Sequence, residues 1–322
     1  MAPARAVLLT SMPVEVNQQI AGYAPDDVTT MMLANSATDE EKIAALADAD
    51  FLLIHPGDIA DAVLRSAKHL KLVLLLRVGY ERVNLALLRE LRIRFAITSD
   101  AFSGMVADHA VMLMLAVYRN LIASAQGVRA GLWYQPLVGK RSYEMEDKVV
   151  GIVGLGHIGR QVAQRVQGFG CRVQYYGHHP LAPEDERALG VRAVSLPELF
   201  ATSDIVSLHV PLTPLTRRMV GAAELRLMKP SAILVNTSRG AVLDEPALIV
   251  ALKAKAIAGA GLDVCDPQPP VADNPLLQME NVVLTPHSAS DTVERWARTA
   301  RFVWRNVAMV RDGGTPVGLI TA

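Results

Sequence analysis

The sequence predicts an α/β protein built from two doubly wound parallel sheets. Three observations carry that expectation. Short β-branched or leucine-rich runs alternate with helical patterns along the whole chain. A length of 322 residues exceeds what one hydrophobic core usually serves, so two domains are expected. The composition, 51% hydrophobic and only 5% aromatic, is dominated by Ala, Leu and Val, as suits helices packed on sheets rather than disorder.

In the first third, strands are expected at 5–9, 50–54, 71–76 and 94–97, with helices at 39–47 and 61–67 among them. A continuous helical pattern over 106–124 follows, and no strand signal returns until Val149, so this stretch is expected to bridge the domains. A second series of six strands is expected at 149–153, 172–176, 204–209, 232–236, 257–263 and 282–284, enough for a doubly wound nucleotide-binding sheet. The amphipathic pattern over 291–311, ended by Gly313, Gly314 and Pro316, is too long for a tail and is expected to pack back on the first domain.

Charge narrows the function classes. Lys and Arg number 32 against 32 Asp and Glu, a net charge of zero, with no block of one sign. That removes the electrostatic footprint of a nucleic-acid binder or of a polybasic membrane protein, and leaves small molecules as the expected partners. No run approaches the roughly 18 apolar residues of a membrane span; the greasiest, 72–76, is stopped by Arg77. The first residues hold only a short apolar run at 6–9, so no secretory signal is expected. Cys171 and Cys265 lie far apart with no metal-ligand cluster near them, and they read as buried thiols in a reducing cytoplasm, without a metal.

The best local motif is Val149-Val-Gly-Ile-Val-Gly-Leu-Gly-His-Ile-Gly159. Gly154, Gly156 and Gly159 punctuate the passage from a β-branched strand to a helix starting near His157. They provide a tight turn, close approach of backbone to a pyrophosphate, and close helix–strand packing, while the helix start offers free N–H groups to phosphate. An acidic residue normally ends the second strand of such a unit and holds the ribose of NAD. Here that strand ends Tyr176-Gly177-His178-His179, with no carboxylate. Nothing there repels a 2′-phosphate, and His178 or His179 can donate to one, so the reading leans towards NADP, with NAD or mixed use as the alternative.

Four further segments lie downstream in order: His209-Val-Pro-Leu-Thr-Pro-Leu-Thr216, Val235-Asn-Thr-Ser-Arg-Gly-Ala-Val-Leu-Asp244, Gly259-Ala-Gly-Leu-Asp-Val264 and Leu284-Thr-Pro-His-Ser288. With the glycine loop, their order and spacing resemble the D-isomer-specific 2-hydroxyacid dehydrogenases, and the resemblance runs over nearly the whole chain. The residues also make chemical sense. Reduction of a 2-keto acid needs a hydride donor, a cation for the carboxylate and an acid for the new alkoxide. Arg239 suits the second task because guanidinium stays charged and binds carboxylate bidentately. His287 suits the third because imidazole titrates near neutrality.

The resemblance implies a Rossmann cofactor domain at 102–287 inserted into a flavodoxin-like substrate domain made of 1–101 and 288–322. It implies Arg239 as the substrate-binding arginine, His287 as the acid/base, and cofactor contacts at Val106, Gly154, Gly156, His157, Ile158, Gly159, His178, His209, Val210, Pro211, Thr216, Thr237, Ser238, Asp263 and Ser288. It places the substrate carboxylate on backbone N–H groups at Val78 and Gly79. It also implies a homodimer, to which the apolar 106–118 helix and Leu132, Trp133 and Tyr134 are expected to contribute.

Three departures from the family pattern stand out. The glutamate that pairs with the histidine is replaced by Gln268, and an amide orients the ring without adding charge to stabilise imidazolium. Glutamine at this place is similar to the formate dehydrogenase branch, yet that branch has an asparagine where Phe102 stands, four residues before Val106-Ala-Asp-His109. Arg77 replaces a usual glycine; it is expected to point to solvent, the alternative being a cation for a second acidic group on the substrate. Asp108 stands where the family has glutamate. The expected function is NAD(P)-dependent interconversion of a small 2-keto acid and its D-2-hydroxy acid, of the glyoxylate or hydroxypyruvate type. Formate-type hydride abstraction and a dinucleotide-sensing scaffold without turnover are the alternatives.

Overall fold

The computed structural model describes residues 3–133, 139 and 142–321. The chain divides into two compact units, Met1–Phe102 with Thr292–Ala322, and Ser103–Asp291.

In the first unit β1 (Ala4–Thr10), α1 (Val14–Ala21), β2 (Val28–Ala34), α2 (Asp39–Leu46), β3 (Phe51–His55), α3 (Asp61–Ser66), β4 (Leu72–Leu75), α4 (Leu85–Glu90) and β5 (Arg94–Ile97) alternate along the chain. The five strands are all parallel in the order β2-β1-β3-β4-β5, the flavodoxin-like arrangement. Strands buried on both faces must be apolar throughout. Accordingly Leu52, Ile54, Val73 and Leu75 pack on one side, and Phe51, Leu53, Leu72 and Leu74 on the other. Local signals agree: Thr38 opens α2 with a capping box, its hydroxyl accepting from Glu41 N while the Glu41 carboxylate accepts from Thr38 N.

The second unit runs α5 (Ser103–Tyr118), α6 (Leu121–Arg129), β6 (Val149–Val153), α7 (His157–Gln167), β7 (Arg172–Tyr176), α8 (Pro183–Leu189), β8 (Val191–Ala193), α9 (Leu196–Thr202), β9 (Ile205–Leu208), α10 (Ala222–Leu227), β10 (Ile233–Asn236), α11 (Glu245–Lys253), β11 (Gly259–Leu262) and β12 (Val282–Leu284). Its seven parallel strands lie in the order β12-β11-β10-β9-β6-β7-β8. This is the Rossmann order with one strand added at the β12 edge. The order reverses between β6 and β9, so the glycine loop after β6 sits at the point where such folds bind ligands.

The final helix, α12 (Arg295–Arg311), returns to the first unit. Ala300, Val303, Trp304 and Val307 cover the sheet face carrying Phe51, Leu53, Leu72 and Leu74. The indole N–H of Trp304 donates to the carbonyl of Ile20 at 2.6 Å.

Several expectations are corrected. Strand β2 lacks an apolar signal because it is an edge strand with mostly exposed side chains, and β8 has only three residues, so the second sheet holds seven strands rather than six. The bridging pattern over 106–124 is not one helix: Asn120 takes a left-handed conformation (φ 47°), which its short polar side chain tolerates, and α5 and α6 meet at 62°. The last helix starts at Arg295 rather than at 291, after a turn in which Asp291 N donates to Ser288 O. The unit boundary falls after Asp291 instead of 287 because Ser288 and Ala289 donate backbone N–H groups to Asp263 of the second unit. Among the described residues no single helix is long and apolar enough to cross a membrane.

Candidate active site

The dinucleotide cradle lies between β6 and α7. Gly154 adopts φ +98°, which L side chains rarely take, and a Cβ there would stand 2.8 Å from the His209 carbonyl oxygen and 2.9 Å from a Val210 methyl. A Cβ on Gly159 would lie 2.2 Å from the carbonyl oxygen of Gly154, so helix and strand approach through backbone alone. Gly156, by contrast, faces open space. It caps α7 with no side-chain hydrogen bond, so the helix start opens towards a site suited to phosphate. Two buried polar atoms near the strand ends, His209 Nδ1 and Thr237 Oγ1, have no protein partner. Open space over a helix start, beside orphaned donors and acceptors, fits a bound dinucleotide.

Around the cradle, burial holds His209 down to about 4, so the ring is neutral, with Nε2 2.8 Å from Ser207 Oγ. Thr216 is buried and spends its hydroxyl on the loop, donating to Pro211 O at 2.6 Å and accepting from Thr213 N at 2.8 Å. Val106 is buried on α5. At the end of β7, His178 and His179 are exposed, and a Cβ on Gly177 would meet nothing.

The three candidate catalytic residues follow three neighbouring strands. Arg239 comes three residues after β10, Gln268 six after β11, and His287 three after β12. The loops carrying Arg239 and His287 are each held by a buried side chain, Asn236 and Asp263. Fully buried Asn236 accepts from Ser238 N and Ser238 Oγ and donates to Arg239 O at 3.0 Å, which folds the 236–239 turn into one shape. The Arg239 guanidinium also donates to Ser238 O. Gly240 then lies so close to the chain leading to Gln268 that a Cβ would stand 2.1 Å from Cys265 O.

His287 sits at φ +55°, an uncommon backbone conformation for a residue with a side chain. Its N–H donates to Asp263 O, and the Asp263 carboxylate accepts from Thr285 Oγ1 (2.6 Å), Ser288 N (3.0 Å) and Ala289 N (3.0 Å). Asp263 thus grips the loop on both sides of His287. His109 completes the grip from α5, with Nε2 2.9 Å from Thr285 Oγ1. Thr285 spends its hydroxyl hydrogen on Asp263, so Nε2 of His109 is the donor in that contact. Burial pushes the Asp263 carboxyl up, but hydrogen bonds from His109, Thr285, Ser288 and Ala289 outweigh it and hold the group below the usual carboxylate range. Gln268 supports the imidazole itself, its Nε2 lying 2.7 Å from His287 Nδ1.

The sequence reading missed Asn236, Thr285 and His109 as positioning residues. All three lie inside quoted motifs, and only their polarity at buried strand ends and on a core helix signals them. Asp108 turns outward to an ion pair with Arg165 of α7 at 2.5 Å, a surface contact worth little.

In the first unit, Val78 and Gly79 occupy the turn after β4 and are half-buried. Arg77 is half-buried rather than extended into solvent, and its charge acts on His55 and Arg295 of the same unit. Phe102 is buried under the Arg295 guanidinium, 5.4 Å from ring centre to Cζ.

The profile of the family described as D-isomer specific 2-hydroxyacid dehydrogenase, NAD binding domain, matches residues 111–289, more than half of the chain. The chain belongs to this family. A glyoxylate reductase of Korarchaeum cryptofilum is 41% identical over 283 residues, covering 86% of this chain and 84% of that protein. The crystal structure of a glyoxylate reductase from Paecilomyes thermophila superposes with a TM-score of 0.82 at 29% identity, covering 99% of this chain and 98% of that one. An acyclic imino acid reductase in complex with NADPH and D-Arg superposes equally well, TM-score 0.82 at 28% identity, covering 98% of this chain and 100% of that one. This 2-hydroxyacid dehydrogenase is therefore a nicotinamide-dependent oxidoreductase that interconverts keto and hydroxy acids.

Proposed function

We propose that this dehydrogenase reduces a small 2-keto acid of the glyoxylate or hydroxypyruvate type to its D-2-hydroxy acid, using NADPH at least as well as NADH. The observation that carries the reading is the contact between Gln268 and His287 beside the turn that presents Arg239. Arg239 binds the substrate carboxylate and draws electron density from the neighbouring carbonyl. A bound reduced nicotinamide supplies hydride from its C4. His287 gives a proton from Nε2 to the alkoxide oxygen. For that the ring must be imidazolium, with Nδ1–H facing an acceptor, and turning the Gln268 amide over presents Oε1 to it. Family pattern assigns the backbone N–H groups of Val78 and Gly79, with Arg77, to substrate binding.

Dinucleotide contacts are assigned to the cradle and its neighbours, Val106, Gly154, Gly156, His157, Ile158, Gly159, His178, His209, Val210, Pro211, Thr216, Thr237, Ser238, Asp263 and Ser288. For Thr216, Ser238, Asp263 and Ser288 the hydrogen bonds above make the contribution one of shaping loops. The open, carboxylate-free position at Gly177 supports NADP. Exposed Met112, Leu121, Ile122, Val128, Leu132 and Trp133 on and after α5 and α6 support a homodimer; Tyr134, expected to join them, lies outside the described residues. The free thiols of Cys171 and Cys265, both pushed up to about 11 by burial, suit a reducing cytoplasm.

The test is turnover of a 2-keto acid panel, including glyoxylate and hydroxypyruvate, with NADPH and NADH, and of formate in the oxidative direction. Reduction of the keto acids is expected. Dinucleotide binding with no turnover of any of them would leave the scaffold reading in its place.

A further inference from the structure

We propose that Glu245, the first residue of α11, is a positioning residue for Gln268: its carboxylate fastens both ends of the loop that brings Gln268 to the imidazole of His287. The inference rests on the reading of this chain as a keto-acid reductase and extends it by a residue that acts through another.

The chain leaves the core at buried Val264, two residues after β11, and returns to it at buried Leu276. Between them residues 266–269 are exposed, Gln268 included. Apolar burial cannot fix exposed residues, so a Gln268 held 2.7 Å from His287 Nδ1 needs polar ties. The prolines at 267, 269 and 270 supply only part of the answer. Their rings lock φ and stiffen the segment, but they have no N–H with which to anchor it. A stiff segment swings as a whole about its ends.

Both ends meet Glu245. At the near end Oε2 accepts from Asp266 N at 3.1 Å, and at the far end Oε1 accepts from Asn274 Nδ2 at 2.7 Å. Asn274 is buried, and its own Oδ1 accepts from Leu276 N at 3.0 Å to cap the short 3-10 turn Pro275–Gln278. One carboxylate thus closes the stretch 266–274, with Gln268 two residues from the nearer tie. The task suits a carboxylate, which is acceptor-only and offers an oxygen to each of two donors, whereas glutamine would turn an N–H₂ on one of them.

Glu245 is itself firmly placed. Asp244 before it caps α11 by accepting from Ala247 N and donates its own N–H to Val220 O, while Leu248 is fully buried. The same stretch begins with Arg239 and Gly240, and Gly240 packs without a Cβ against the backbone of Cys265. The segment that presents Arg239 and the segment that carries Gln268 are therefore joined twice, by backbone contact at Gly240 and by the Glu245 carboxylate. Burial first and Glu245 second push the Cys265 thiol up to about 11, as a carboxylate close to this segment should.

The experiment is a double-mutant cycle between Glu245 and Gln268, read on the proton affinity of His287. The pH titration of the His287 ring, assigned with His287→Gln, is followed by NMR in the native protein, Gln268→Glu, Glu245→Ala and the double variant. The alkaline limb of kcat/KM for glyoxylate is measured on the same four. Gln268→Glu is expected to raise both in the native background. In the Glu245→Ala background it should raise them by less than half as much, because a loop loosened at both ends no longer keeps residue 268 against Nδ1. Equal movement in the two backgrounds overturns the assignment, as does no movement in either, since Glu245 would then have nothing to act through. Asn274→Ser, which can still cap the 275–278 turn, cuts the far tie alone. It takes the place of Glu245→Ala in the cycle if that variant does not fold, with the same outcomes. The NMR titration needs no substrate. Coupling seen there while no keto acid is reduced keeps Glu245 as the support of Gln268 and removes the proposed reaction.

Discussion

The amide nitrogen of Gln268 stands 2.7 Å from Nδ1 of His287. In this pose the amide donates to an unprotonated Nδ1 and supports the neutral ring with its hydrogen on Nε2. Turned over, the same amide accepts from Nδ1–H and supports imidazolium. A glutamate can only accept, so it favours the charged ring alone. Gln268→Glu should therefore make His287 hold its proton to higher pH, and the alkaline limb of kcat/KM for keto-acid reduction should move up. Each unit of movement corresponds to about 1.4 kcal/mol of added imidazolium stabilisation. A pH profile of native and variant enzymes checks this, and a limb that stays put means another group sets it.

Gly177 is the position at which to test cofactor choice, because a side chain there meets open space. In the native enzyme, kcat/KM with NADPH should equal or exceed that with NADH. Gly177→Asp should swing the ratio towards NADH by about tenfold or more, since the carboxylate accepts from the ribose 2′-hydroxyl and repels a 2′-phosphate. A strong NADH preference in the native enzyme would contradict the assignment.

Asp263 ties the His287 loop through three donors besides His109. In Asp263→Asn one carboxylate oxygen becomes an N–H₂ facing donors, and leaving a buried donor unsatisfied costs about 1–3 kcal/mol. Denaturant midpoints near neutral pH should fall accordingly. The native carboxyl is held below its ordinary value, so its contribution is present above the ordinary carboxylate range and is lost as pH falls through the lowered one. The gap between native and variant should hence narrow in acid, and a gap that widens there would reverse the sign assigned to Asp263.

Light scattering at micromolar concentration is expected to give a dimer. Trp133, 74% exposed, and the exposed Leu121 and Ile122 of α6 offer apolar surface that a stable two-fold interface of at least about 1,000 Å² would cover. Met112→Asp on α5 should shift the population towards monomer, and a native protein that is monomeric throughout would remove the dimer from the proposal.

Much of this was legible in the chain itself. The glycine loop, Arg239 and His287 follow directly on strand ends because their motifs pair a chemical residue with the β-branched run that positions it, whereas Gln268 lies six residues beyond β11. What escaped notice were features set by three-dimensional company. Strand β2 is a Thr- and Met-rich edge strand whose pairing to β1 comes from backbone hydrogen bonds, for which sequence patterning has no signature. Asn120 breaks a helix that composition alone would continue. Arg77 reads as a solvent-facing charge, yet the fold leaves it half-buried, with its charge acting on His55 and Arg295. His109 looks like part of an apolar helix until Thr285, far along the chain, meets its ring.

The packing of α12 under the first sheet sets an order of events during synthesis. On the ribosome β1 to β5 emerge first, yet the helix that covers Phe51, Leu53, Leu72 and Leu74 is translated only after the entire second unit. The second unit is continuous in sequence and can close its own core while the nascent first sheet still shows one apolar face to solvent. The part of the protein that is made first is thus the last to be finished, and for that interval its exposed leucines and phenylalanine are the natural target of a chaperone that shelters bare sheet faces.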